Sequence, residues 1–124
     1  MALMADPDTV RLRLPAGTAY GRVARVTTAA LARRHGFTHR DVEDLRLAID
    51  EAIIALLDEA DPLAAVDLTY TVGDGEVAIT VDGAPGRPEA AVDRFHTLVT
   101  GLVDRADLDL VAGRVLLVKH RDLT

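Results

Sequence analysis

The chain has no cysteine, no serine and no tryptophan, and its only aromatics are two Phe and two Tyr, 3% of the residues. Without cysteine there can be no disulfide, no thiolate zinc site and no Cys nucleophile. Without serine there is no serine-hydrolase elbow. Neither a Gly-x-x-x-x-Gly-Lys-Ser/Thr phosphate loop nor a Gly-x-Gly-x-x-Gly fingerprint occurs. No apolar run approaches the roughly 20 residues of a membrane span. Met1 to Asp8 carry two acids and lack a basic start and a long apolar stretch, so they do not read as a signal peptide. Basic residues are in the minority, 14 against 20 acidic, and the formal charge of -6 argues against general nucleic-acid binding. It fits a protein of the cytoplasm, although net charge speaks to solubility and not to fold.

What is present is aliphatic. A chain of 124 residues that is 49% hydrophobic suffices for one domain over residues 1–124 with a core of Ala, Val, Leu and Ile. No repeat or low-complexity linker interrupts it. Val10, Leu12 and Leu14 alternate with Arg11 and Arg13, a half-exposed strand stopped by Pro15-Ala16-Gly17. Helical spacing follows from about Thr18 to His35, with Val23, Val26, Ala30 and Leu31 as the expected buried stripe and Gly36 at its end. Thr38 is placed to cap the next helix, with Asp41 three residues on and Phe37 and Val42 in the staple positions. That helix is expected to run to about Ala60, covered on more than one side because Leu47, Ile54 and Leu57 widen its main stripe.

Two alternating runs, Val66 to Val72 and Val77 to Val81, flank Gly73-Asp74-Gly75 and predict a hairpin. A loop from Asp82 to Pro88 leads to a third helix, whose stripe is expected to be Val92, Phe95, Val99, Leu102, Val103 and Ala106. Gly113 precedes a last strand, Val115 to Lys119, apolar enough for an interior place. The order β-α-α-β-β-α-β predicts an α+β two-layer sandwich with helices on one face of a mostly antiparallel sheet.

Three motifs stand out within that order: Val42-Glu43-Asp44-Leu45-Arg46-Leu47-Ala48-Ile49-Asp50-Glu51-Ala52, then Ile79-Thr80-Val81-Asp82, then Thr100-Gly101-Leu102 with Asp104 and Gly113-Arg114-Val115. With the element order they resemble anti-sigma factors of the RsbW/SpoIIAB type, within the GHKL (histidine-kinase-like ATPase) superfamily. The first, the main carrier, is similar to the family's stretch leading into the N-box. The second is like the strand that delivers the G1-box aspartate, and the third like the family's terminal pattern. The resemblance implies the Bergerat fold, a sigma factor as partner, an anti-anti-sigma antagonist of the STAS type, a homodimer, and in active members an ATP-dependent serine kinase.

Departures from the family pattern imply a degenerate ATP/Mg site. The N-box Asn that holds magnesium in ATP-binding members is Ala55 here, and a methyl group cannot ligate a hard cation. Phosphoryl transfer is mostly positioning and charge neutralisation, so that loss weighs against kinase activity. The G1 box reads Asp82-Gly83-Ala84-Pro85-Gly86; Ala84 adds a Cβ where a nucleotide would approach, and Pro85 removes a donor. Of the G2 lid only Gly101 is recognisable. By resemblance Glu51 is the candidate general base, and Asp82, Ala84, Gly86 and Gly101 are the candidate nucleotide contacts, with no metal expected. The plainer role for Glu51 is a surface acid, and for Asp82 a turn former.

Arg46 and Asp50, at i,i+4, are expected to pair on the helix surface or to meet a sigma factor. The four histidines, His35, His39, His96 and His120, are scattered and predict no metal site. Arg11, Arg13, Arg22, Arg25, Arg33 and Arg34 polarise the first third of the chain, which would steer an acidic partner. The function expected is sequestration of a sigma factor. Its rivals are an active kinase and a regulatory module of another signalling system.

Overall fold

Two short-range signals in the chain translate directly into backbone. Asp74 and Gly75 both adopt positive φ, 46° and 76°, the conformation a two-residue hairpin turn requires. Thr38 is extended and its Oγ1 accepts from the Asp41 N–H at 3.1 Å, while Phe37 and Val42 on either side of the cap are buried. The structure, a computed structural model, describes residues 8–15, 18–57, 61, 63–85 and 89–121.

Five strands form one antiparallel sheet: β1 (Asp8–Pro15), β2 (Ala65–Gly73), β3 (Glu76–Asp82), β4 (Arg105–Asp109) and β5 (Arg114–His120), in the order β1-β2-β3-β5-β4. Successive side chains point to opposite faces, and the burial alternates accordingly. Val66, Leu68, Tyr70 and Val72 of β2 are buried, as are Val77, Ile79 and Val81 of β3 and Val115 and Leu117 of β5. On that inner face lie three helices: α1 (Gly21–Arg34, preceded by a 3-10 turn Thr18–Tyr20), α2 (His39–Leu56) and α3 (Glu89–Val99). α2 is central and packs against both other helices. This is the α+β sandwich the element order predicts, with β5 in the interior of the sheet.

Four details differ from the sequence reading. α1 does not bury Val23 and Val26; they are exposed, Val26 at 57%, and the helix turns Ala24, Thr28, Ala29 and Ala32 inward. Small residues let α1 approach the sheet closely, and Thr28 Oγ1 sits 2.8 Å from the Tyr70 hydroxyl. α2 stops at Leu56, with Leu57 extended (ψ 124°); the expected end near Ala60 falls outside the described residues. Leu47 and Ile54 of α2 are exposed despite its central place. α3 stops at Val99, because Gly101 (φ 86°) turns the chain left-handed, and Ala106 belongs to β4 rather than to that helix. The alternation Arg105, Ala106, Asp107, Leu108, Asp109 is an edge-strand pattern with its charges outward.

Burial pushes the Tyr70 phenol up to about 12, against a smaller opposing effect of the Thr28 hydrogen bond. The folded pKa lies above the unfolded value, so folding favours the protonated phenol. Its contribution is complete below pH 10 and is lost as pH rises towards 12. Absorbance near 295 nm during alkaline titration should therefore show Tyr70 ionising only together with unfolding.

Candidate functional site

The end of α2, the end of β3 and the turn before β5 converge, and the convergence is made of backbone. The N–H of Ala84 donates to Leu56 O and the N–H of Gly83 to Gly113 O, both at 2.8 Å. A Cβ on Gly83 would stand 2.7 Å from Leu56 Cβ and from Leu56 O. One on Gly113 would stand 2.8 Å from Gly83 O and from Pro85 N, and Gly113 already needs φ 69°. The Asp109 carboxylate holds the turn before Gly113 by accepting from the N–H groups of Val111 and Ala112. The loop after β3 is thus fastened to α2 on one side and to the β4–β5 turn on the other.

Ala55, one residue before that contact, is 4% exposed and part of the core. Glu51, one turn earlier on α2, is largely covered, its side chain 18% exposed, and meets the guanidinium of Arg94 from α3 at 3.4 Å. Asp82 points elsewhere. It follows buried Val81 on β3 and pairs across the sheet with Asp67 and Arg114, so its carboxylate is on the outer face. There Arg114 Nε donates to it at 2.6 Å, and Asp82 in turn pushes the Arg114 pKa up. The two acids that the sequence singles out therefore stand on opposite faces of the sheet, each beside an arginine. Gly101 lies in an open turn after α3, with none of the described residues within 4 Å of an added Cβ. Gly86 falls outside the described residues.

The expected Arg46–Asp50 pair does not form. Asp50 accepts from Arg25 of α1 and Arg46 donates to Glu43, each at 2.9 Å. Asp50 finds its partner on a neighbouring helix, and spacing alone does not reveal that neighbour. The partners missed in this way are Arg25, Arg94 and Arg114. A further one is Lys119, the chain's single lysine. It sits on the inner face of β5 with its Nζ 3.6 Å from Asp41 and 3.4 Å from Asp44 of α2, and donates to Leu102 O at 2.6 Å. Among the described residues no three His, Asp or Glu side chains converge as a metal site would need.

Comparison with known proteins follows the same outline. A serine-protein kinase RsbW of Halalkalibacterium halodurans is 30% identical over 77 residues, 61% of this chain and 48% of that protein. The RsbW of Oceanobacillus iheyensis is 37% identical over 57 residues, 46% of this chain and 36% of that protein. The RsbW of Bacillus thuringiensis is 32% identical over 77 residues, 62% of this chain and 42% of that protein.

The chain is related to the RsbW-type proteins.

The match with the RsbW relatives spans half of their length or less. The crystal structure of the RsbU and RsbW domains of Rv1364c from Mycobacterium tuberculosis superimposes with a TM-score of 0.67 at 18% identity, covering 92% of this chain and 32% of that one. That likeness is one of fold, and it extends the agreement beyond the aligned RsbW segment to nearly the whole chain. No family model matches. No helix is long and apolar enough to cross a membrane, among the residues described.

Proposed function

We propose that this chain regulates by binding: it holds a sigma factor in the cytoplasm as an anti-sigma factor, yields it to an antagonist of the STAS type, works as a homodimer, and does not phosphorylate that antagonist. The observation that carries the last clause is the fastening of the Gly83–Ala84 loop. A phosphate-binding loop works by aiming free backbone N–H groups at the anion. Here the N–H groups of Gly83 and Ala84 are satisfied by Gly113 O and Leu56 O. Pro85 has no N–H to offer, and Ala55 supplies no oxygen for a divalent cation. The acid proposed as base, Glu51, lies on the opposite side of the sheet from the acid proposed for adenine, Asp82. These residues do not fit a nucleotide with its metal, so no transfer step is derived through one.

Calorimetry with ATP and magnesium up to about 1 mM should give no saturable heat, a level at which even a weak site of about -4 kcal/mol would fill by half. Micromolar, magnesium-dependent binding would overturn this reading in favour of an active kinase like those named among the RsbW relatives. The matching substitution is Ala55→Asn. Restoring the family's amide there should not restore binding, and it should destabilise the fold by about 1–3 kcal/mol because a polar group enters a packed position without a partner. Thermal melting measures that cost. Capture of a sigma factor by the tagged chain from its native cell tests the partner; recovery of none at saturating bait would defeat the proposal.

A further inference from the structure

Opposite the Gly83–Ala84 loop, at the other end of α2, the surface is basic. α2 has 18 residues and rises roughly 27 Å between the two ends. At its start four arginines from three segments come together. α1 closes with Arg33 and Arg34 in its last turn and α2 opens with His39 and Arg40, all four exposed. Arg121, directly after β5, joins them. Its N–H donates to Gly75 O, its side chain lies against Gly36, and its Nη1 donates to His35 O at 3.1 Å. The nearby acids are engaged elsewhere: Asp41 and Asp44 turn inward to Lys119, Glu43 accepts from Arg46, and Glu76 meets His120. Among the described residues none of Arg33, Arg34, Arg40 and Arg121 forms an ion pair, although the chain as a whole stands at -6. Of the arginines that polarise the first third of the sequence, only Arg33 and Arg34 belong to this pole. Arg13 pairs with Asp67 on the outer face of the sheet and Arg25 with Asp50, while Arg22 stands at the far end of α1.

Helix chemistry accounts for part of this cluster. Arg33 and Arg34 complement the negative end of α1, and Arg121 satisfies a carbonyl there. Arg40 does the reverse, setting a cation at the positive end of α2, where a carboxylate is favoured. The helix is weakened by it, which leaves Arg40 a role outside the fold. We infer that this pole docks an acidic segment of a partner protein, a short run of Asp and Glu side chains laid across Arg33, Arg34, Arg40 and Arg121. Guanidinium groups suit that ligand because each can hold a carboxylate in a planar two-point contact. The surroundings favour a peptide over a nucleic acid. Asp8 lies 4.0 Å from His35, and Asp74 and Glu76 flank the Gly75 that holds Arg121. A duplex carries one charge per roughly 1.7 Å and would run past the arginines onto those acids. A run of three or four acidic residues, spanning at most roughly 14 Å, stays among the arginines. Such contacts are exposed, so docking is fast, weak and sensitive to salt. The pole lies a helix length away from Ala55 and Leu56, and the inference does not depend on the sigma-factor reading.

Fluorescence anisotropy of a labelled hexaglutamate peptide tests the inference. At about 50 mM salt, where charges are screened only beyond roughly 14 Å, the wild-type chain should bind it with a Kd below about 1 mM. Arg34→Glu together with Arg40→Glu should weaken binding at least about tenfold. Arg22→Glu together with Arg105→Glu makes the same change in net charge at other places and should weaken it by less than about threefold. A labelled hexathymidylate should bind more weakly than the peptide. Arg40→Glu alone separates docking from folding: an acid at the start of α2 should raise the melting temperature while weakening the peptide. If that variant lowers both, the arginine serves the fold and the inference falls. It falls equally on a Kd above about 1 mM, on equal losses from the two double variants, or on tighter binding of the oligonucleotide.

Discussion

Replacing Lys119 by Met should cost about 3–5 kcal/mol of folding stability, the range found when one partner of a buried ion pair is removed. The Met stem keeps most of the volume, so the loss is electrostatic. The Lys119 side chain is 10% exposed and its partners Asp41 and Asp44 are 14% and 21% exposed, too little for water to screen the charges left behind. Among the described residues Asp41 Oδ2 has no hydrogen-bond partner even with the lysine present, and Leu102 O would lose the donor at 2.6 Å. A domain of this size is stable by only about 5–15 kcal/mol, so thermal melting should fall by about 10–20 °C. Adding Asp41→Asn and Asp44→Asn to Lys119→Met should recover a large part of the loss. If it recovers nothing, packing rather than charge explains the effect.

The second large effect belongs to Gly113. Gly113→Ala combines a left-handed conformation, worth about 1–2 kcal/mol against any Cβ, with a clash against rigid backbone. Its new methyl would stand 2.8 Å from Gly83 O and Pro85 N and 2.9 Å from Ala84 C, so the loop after β3 must move or the turn must open. A loss above about 3 kcal/mol is expected, as for other buried backbone collisions. Gly101→Ala is the control: φ is 86° there, yet none of the described residues lies within 4 Å. It should therefore cost only the conformational 1–2 kcal/mol or so. Denaturant melts of the two variants check the difference. Equal losses would mean that the contact between the β4–β5 turn and the Gly83–Ala84 loop contributes nothing.

Both effects arise where segments distant in sequence meet, and local sequence does not encode those meetings. The Asp-Gly turn, the Thr38 cap with its Phe37–Val42 staple, and the alternation of β1, β2, β3 and β5 depend on neighbours within a few residues, and each was legible. The stretch from Val42 to Ala52 is legible as a family resemblance, and RsbW proteins are 30–32% identical to this chain over 77 residues. In α1 apolar spacing favours Val23 and Val26 for the inner face, whereas close packing against Tyr70 favours Ala and Thr. The two inward residues of β4, Ala106 and Leu108, are too few to outweigh the helical stripe that precedes them, so the spacing does not predict the strand.

The candidate site divides along the same line. Sequence alone determined which residue types are available: Ala55 where the resemblance expects an Asn, an incomplete glycine pattern after Asp82, and the acids Glu51 and Asp82. Those are matters of identity, and no coordinate changes them. Only the tertiary structure decided what these groups face. It sends Glu51 to Arg94 and Asp82 to Arg114 on opposite sides of the sheet, ties the Gly83–Ala84 N–H groups into backbone hydrogen bonds, and buries the single lysine between two aspartates. The physical reason is range. Periodicity, caps and turns are set by chemistry within a helical turn or a strand pair, while the partner of a charge or of an N–H group is whichever atom the packed chain brings within 3 Å or so.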